Sequence, residues 1–223
     1  MEMSLQEEQI VTETAELVHE KLGSDRSGHD YQHIQRVVTM AKVIATNEAD
    51  ANKIDFFVVN MAAYLHDMAD DKLNDDVKTA QERVREWLDQ KHVPAGKQAD
   101  ILDIIQHMSF SDNLEHHYLL SLEGQIVQDA DRLDAIGAVG IGRAFYYGGH
   151  HGDPIYDPEI KPRMHMTKEM YRSQSTVINH FQEKLLKLVD QLNTPTAKQI
   201  GAHRQKYMQD FLKEFKNEWE GNC

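Results

Sequence analysis

An all-α fold is predicted by three features of the 223-residue chain. Apolar residues recur at three- and four-residue spacing almost throughout, the period of a helix with one buried face. Alternating apolar and polar runs, which mark half-buried strands, are scarce. Side chains that start helices, among them Asp30, Asp55 and Thr167, stand just ahead of the periodic stretches.

Each element follows from that pattern. Leu5 to Leu22 is a first helix, with Ile10, Ala15, Leu17, Val18 and Leu22 on one stripe and Gly23-Ser24 ending it. Asp30 caps a second helix whose inner face is Ile34, Val37, Val38, Ala41 and Ile44. Asp55 caps a third, apolar on most sides and ending near His66, so it belongs at the domain centre. Thr79 to Gln90 is a fourth helix with Val84, Trp87 and Leu88 inward. Pro94 suits the first turn of a fifth, which runs through Ile101, Ile104 and Ile105 to His107. A sixth spans Glu123 to Gly137. Gly140 and Gly142 fit either close helix packing or a loop. Residues 147–166 hold glycines, histidines and prolines without helical period and are expected to form a lid-like loop. Thr167 caps a helix reaching about Leu192, and Pro195 opens a last one towards Glu220. The whole is expected to form a single domain over 1–223, with a functional core at about 27–141 and C-terminal helices at 167–220.

Composition narrows the function. Hydrophobic residues make up 40% and charged residues 27%, as in an ordinary soluble globule. The single cysteine, Cys223, excludes an internal disulfide and suits a cytoplasmic location. The N-terminus lacks a basic region followed by an apolar run, and no later stretch is long and apolar enough for a bilayer. A net charge of -13 makes the chain a poor general binder of nucleic acid, so neither nucleic acid nor membrane is an expected partner. A small anion bound through a local cation remains compatible with that charge, and a divalent metal held by carboxylates is such a cation.

Four residues can hold one. His66 and Asp67 stand side by side at the end of the apolar third helix. His33 lies one turn before Val37 and shares the inward face of the second helix. Asp131 is flanked by Ile126, Val127, Ala130 and Leu133, where a carboxylate is costly without a partner or a cation. Two imidazoles and two carboxylates suit Mn, Fe, Co, Ni or Zn, and Mg less well. Spacing alone leaves two readings open: one shared ion, or separate hydrogen-bonded core histidines and capping aspartates.

The segments Gly28-His-Asp-Tyr-Gln-His33-Ile-Gln-Arg-Val37, Leu65-His66-Asp67 and Asp129-Ala-Asp131-Arg-Leu133 resemble, in order, those of the HD-domain superfamily of metal-dependent phosphohydrolases. The resemblance covers about Ser27 to Ile141. It is nearest to a subgroup of stand-alone bacterial proteins thought to act on nucleotides, whose later elements resemble Gly140-Ile-Gly-Arg-Ala-Phe145, Glu183-Lys-Leu-Leu186 and Leu192-Asn-Thr194. It implies the HD helical fold with extra C-terminal helices, and His33, His66, Asp67 and Asp131 as ligands of a divalent metal. Several members carry an acidic pair just after the doublet, usually glutamate then aspartate. Here the pair is Asp70 and Asp71, the first one methylene shorter, and it implies Asp70 as general base or orienter of the water with Asp71 in support.

Further roles are expected around that centre. His107 is placed to protonate the leaving group or join a second metal, or simply to meet the dipole at its helix C-terminus. Lys72 is placed to bind a phosphate oxygen or to pair with Asp71 or Asp75. His29 precedes His33 by about one turn. Arg36 and Arg132 each lie close in sequence to a ligand, and with Arg143 they are candidate phosphate clamps or partners of buried carboxylates. Lys161 and Arg163, with neighbouring histidines, suit a lid over an anion.

The expected activity is hydrolysis of a phosphate ester or anhydride bond in a small nucleotide, a nucleoside triphosphate being favoured. Alternatives are a guanosine tetraphosphate-type alarmone, a nucleoside monophosphate, or a nucleotide-sensing module with an idle site. A homodimer stays open.

Overall fold

A computed structural model of the chain describes residues 3–23, 30–69, 77–110, 113, 118–163 and 175–222. Among these there are helices, 3-10 turns and irregular segments but no strands. The α-helices are α1 (Leu5–Leu22), α2 (Tyr31–Asn47), α3 (Phe56–Leu65), α4 (Val77–Gln90), α5 (Ala95–His107), α6 (Leu122–Asp134), α7 (Gly137–His151), α8 (Val177–Glu183) and α9 (Pro195–Glu220). The chain divides into two compact units, Met1–Ala130 and Asp131–Cys223, with the division inside the unbroken α6.

In the first unit α3 is the central element, packed by α1, α2 and α5. Eight of its ten residues are buried, as its apolar sequence requires. Its start is fixed by Asp55, whose Oδ1 accepts from the amides of Phe57 and Val58 at 3.0 and 3.3 Å. α1 begins with a reciprocal capping box: Ser4 Oγ accepts from the Glu7 amide, and Glu7 Oε2 accepts from the Ser4 amide. Lys97 ties the two starts together, its Nζ 2.6 Å from Glu7 Oε1 and 2.7 Å from Asp55 Oδ2. Pro94 is the N-cap of α5, one position ahead of the expected first turn.

In the second unit α9 packs on α7, and α7 on α8. Phe145, Phe181, Phe211 and Phe215 form a cluster with ring centroids 6.0–6.5 Å apart. The last turn of α6 is held from this side. Arg132 donates to the Gln191 carbonyl, and Arg204 Nη1 donates to the Leu133 carbonyl at 2.5 Å.

Three expectations change here. Residues 147–151 are helical, the end of α7, so the irregular segment starts at Gly152. Gly148 permits this: a Cβ there would lie 2.3 Å from Val177 Cγ2, so a glycine lets α7 approach the start of α8. Gly140 is also a packing glycine, since a Cβ would meet the Ala135 carbonyl oxygen at 2.3 Å, whereas Gly142 faces open space. The expected helix to Leu192 is instead α8, capped by Thr176, followed by 3-10 turns at Leu185–Lys187 and Val189–Gln191. The expected cap Thr167 lies outside the described residues.

Candidate metal centre

The first unit brings His33, His66 and Asp67 together. Asp30 Oδ1 accepts from the His33 amide at 2.8 Å, which starts α2 and sets the direction of the His33 side chain. The buried stripe Ile34, Val37, Val38, Ala41 and Ile44 turns the same face inward. After Leu65 the backbone tightens into the 3-10 turn His66–Ala69, which carries the doublet. His33 Nε2 lies 3.4 Å from Asp67 Oδ2, and His66 Nε2 lies 3.3 Å from Asp67 Oδ1. Each carboxylate oxygen therefore faces one imidazole. The rings meet edge to face with centroids 5.5 Å apart, and their ligand nitrogens lie within 4.8 Å of each other. Side-chain exposure is 1% for His33, 5% for His66 and 4% for Asp67.

The donor set fits a divalent cation. His66 Nδ1 lies 2.9 Å from the Ala63 carbonyl oxygen, which only accepts, so Nδ1 carries a proton. In the neutral ring Nε2 then presents its lone pair towards Asp67, the tautomer a metal requires. A lone pair and a carboxylate oxygen facing each other under burial repel unless a proton or a cation lies between them. The types present, imidazole nitrogen and carboxylate oxygen, are those of Mn, Fe, Co, Ni and Zn sites.

The other expected site residues are distributed as follows. Asp131 is half-buried on α6, the first residue of the second unit. Arg36 is half-buried on α2. His107 ends α5, its Nδ1 2.9 Å from Asp103 Oδ1 and its ring 4.3 Å from that of Tyr118. His29, Asp70, Asp71 and Lys72 lie outside the described residues.

Four expected phosphate-binding cations have protein partners. Arg132 is buried and bonded to the Gln191 carbonyl. Arg143 Nη1 lies 2.6 Å from Asp134 Oδ2. Lys161 Nζ donates to the Pro158 carbonyl at 2.8 Å. Arg163 forms a fork with the buried Glu183. The irregular segment that holds Lys161 and Arg163 is stitched to α8. The amides of Val177 and Ile178 donate to the carbonyls of Pro154 and Ile155, and Asn179 Nδ2 donates to that of Ile160. Between 152 and 163 the expected lid is therefore a strap bonded along α8.

Sequence reasoning missed the pairings that complete these networks. Glu183, read from the sequence only as part of a family element, holds Arg163, and Lys97 joins two helix caps. Neither pairing has a local signal, because Arg163 lies 20 positions from Glu183, and Glu7 and Asp55 lie still farther from Lys97.

Comparisons with known proteins bear on the same residues. A family model described as the HD domain matches residues 30–136. Bacillus subtilis YpgQ, an uncharacterized protein, is 37% identical over 201 residues, covering 90% of this chain and 89% of its own. Its crystal structure in complex with ADP superposes with a TM-score of 0.76 at 31% identity, covering 96% of this chain and 97% of that one. A Lactobacillus plantarum protein of known structure is 45% identical with a TM-score of 0.85, over 96% of this chain and 98% of that one. The structure of an HD-superfamily hydrolase from Bacillus thuringiensis is 39% identical with a TM-score of 0.75, again over 96% and 98%.

Proposed function

Because the chain belongs to the HD superfamily of hydrolases, we propose that it is a divalent-metal-dependent phosphohydrolase acting on a small nucleotide, with a nucleoside triphosphate as the favoured substrate. The observation that carries this reading is the buried Asp67 carboxylate with one imidazole nitrogen on each oxygen. The proposed ligands are His33, His66, Asp67 and Asp131. The fourth is supported by the family match, which spans all four positions. A nucleotide substrate is supported by YpgQ, whose structure holds ADP. A cytoplasmic location is proposed with it; no described helix is long and apolar enough to cross a membrane.

A divalent ion at this centre supplies Lewis acidity, offsetting phosphoryl charge and making water more acidic. The protein's part is placement. The Ala63 carbonyl fixes the His66 ring and its tautomer, and Asp30 fixes the start of α2 and hence His33. Near-complete burial of the three side chains keeps bulk water from competing for the site. Asp70 is assigned the proton from the attacking water, with Asp71 beside it in sequence. His107, its Nδ1 held by Asp103, is assigned the proton given to the leaving oxygen. Arg36, Lys72 and His29 are assigned to the phosphates. Arg132, Arg143, Lys161 and Arg163 do not enter the phosphate site in this reading, since each is engaged by a protein acceptor.

The test is elemental analysis of the purified protein combined with hydrolysis assays over nucleoside triphosphates, diphosphates, monophosphates and guanosine tetraphosphate with Mn, Co, Mg and Ni. Metal-dependent release of phosphate, pyrophosphate or triphosphate from a nucleoside triphosphate is the expected result. Turnover of the tetraphosphate or the monophosphate alone would reassign the substrate. Tight nucleotide binding without turnover would make the protein a sensing module.

A further inference from the structure

A cavity of about 490 Å³ opens beside Asp67, entirely within the first unit. Its size falls among pockets that hold cofactor-sized ligands. Leu22, Leu65, Ala80 and Val84 form a buried apolar floor. Leu17 and Trp87 are half-buried walls, and Lys21 and Arg83 stand exposed at the rim with Glu86. Asp67 is itself part of the lining, so the cavity adjoins the proposed metal centre. Trp87 is held in place: its Nε1 donates to Thr14 Oγ1 at 2.9 Å, and Lys91 Nζ lies 4.4 Å from its ring centroid.

We propose that this cavity seats the nucleoside part of a nucleotide whose phosphates face His33, His66 and Asp67. The proposal rests on the phosphohydrolase reading above and assigns its substrate a second subsite. The polarity of the walls decides which end of the ligand enters. Phosphates are strongly hydrated and lose that hydration against Leu22, Leu65, Ala80 and Val84. A base and sugar carry no charge and gain from burying their apolar faces there. Glu86 offers an acceptor to an amino or hydroxyl group at the mouth, and Lys21 and Arg83 place positive charge where an anionic ligand enters. The aromatic wall is oriented before the ligand arrives, which lowers the entropy cost of binding.

The experiment compares two ligands on Mn-loaded protein by isothermal titration calorimetry. The β,γ-methylene analogues of ATP and GTP carry a nucleoside, and inorganic tripolyphosphate does not. Leu17→Trp fills the cavity from its half-buried wall, and Arg83→Glu reverses charge on the exposed rim. Affinity for the analogues is expected to fall about tenfold in Leu17→Trp and about threefold in Arg83→Glu. Affinity for tripolyphosphate should stay within about twofold in Leu17→Trp, which leaves the rim charge intact. Arg83→Glu acts on ligand charge and should weaken tripolyphosphate at least as much as the analogues. If Leu17→Trp does not fold, as judged by circular dichroism, Leu17→Phe, a smaller addition to the same wall, is read by the same comparison. A selective loss for the analogues in the folded Leu17 variant upholds the proposal. Equal loss of both ligands in that variant, no loss in it, or a parent that binds the analogues no more tightly than tripolyphosphate overturns it. A selective loss in a protein that hydrolyses no nucleotide would leave the cavity assigned and sink the hydrolase reading.

Discussion

Arg163 grips both oxygens of Glu183: its Nε lies 3.0 Å from Oε1 and its Nη2 2.6 Å from Oε2, while its own backbone amide also donates to Oε1 at 2.9 Å. The planar guanidinium matches the carboxylate, and Ser175 Oγ adds a further bond at 3.1 Å. Burial pushes the Glu183 carboxyl up, but the Arg163 bonds outweigh it and hold the group below the ordinary carboxylate range.

Glu183→Ala is therefore expected to cost about 3 kcal/mol, because it leaves the Arg163 fork without its acceptor. Chemical denaturation of the two proteins measures the difference. A loss below about 0.5 kcal/mol, typical of a neutral surface change, would show that the pair contributes little.

Stability should fall in mild acid through His180. Burial, then the charge of Lys184, pushes this imidazole down to about 3 from 6.5. Its folded pKa lies below its unfolded one, so the unfolded chain takes up the proton first. Its contribution is complete above pH 6.5 and is lost as pH falls towards 3. Glu183 has the same sign but a lower window: its contribution is complete above 4.5 and is lost as pH falls through its depressed folded value. Between pH 6.5 and 4.5 the slope belongs to His180 rather than to Glu183, and His180→Gln should flatten it. Melting temperatures across that range, with a proton NMR titration of the His180 ring, provide the check. A ring midpoint near 6.5 would refute the assignment.

Lys97 neutralises two helix-start carboxylates at once. Desolvation pulls its ammonium down, yet bonds to Asp55 and Glu7 prevail and raise it. Glu7 in turn is lowered, first by its Lys97 hydrogen bond. All three groups are partly exposed, so Lys97→Met should cost only about 1 kcal/mol and less at high salt. A difference between variant and parent that is independent of salt would place the effect in packing over Phe57, whose ring centroid lies 5.2 Å from Nζ.

Asp67→Ala should remove metal and activity together, weakening metal binding by more than about 100-fold, the upper range for losing even an outer-shell partner. Asp70→Asn should keep the metal and lower kcat by about 10² to 10⁴, as expected for a general base. Metal content by mass spectrometry and steady-state kinetics separate the two. An Asp67→Ala protein that holds metal as the parent does would overturn the ligand assignment.

Local chemistry made much of this legible in the sequence. Helix α1 runs from Leu5 to Leu22 as its apolar stripe indicates, and Asp30 and Asp55 cap as their side chains allow. Inward helix faces left the meeting of His33 with the His66-Asp67 pair open, and it was the motif order of the resembled family that implied it. What stayed hidden depends on distant partners. Gly148-Gly149-His150-His151 read as loop because two glycines disfavour a helix, yet α8 supplies the packing that outweighs this. Arg163 read as a substrate cation because nothing near it in sequence marks Glu183, 20 positions on, as a buried acceptor.

The hydrogen bond from the His33 amide to Asp30 has a consequence for how tolerant this chain is to length changes. The imidazole's bearing is counted from the helix's first residue. One residue inserted between positions 30 and 33 would swing the ring about 100° around the axis, away from the doublet, while leaving every side chain's chemistry intact. An insertion ahead of Asp30 would leave that bearing unchanged, so the three positions from the cap to the ring act as a ruler.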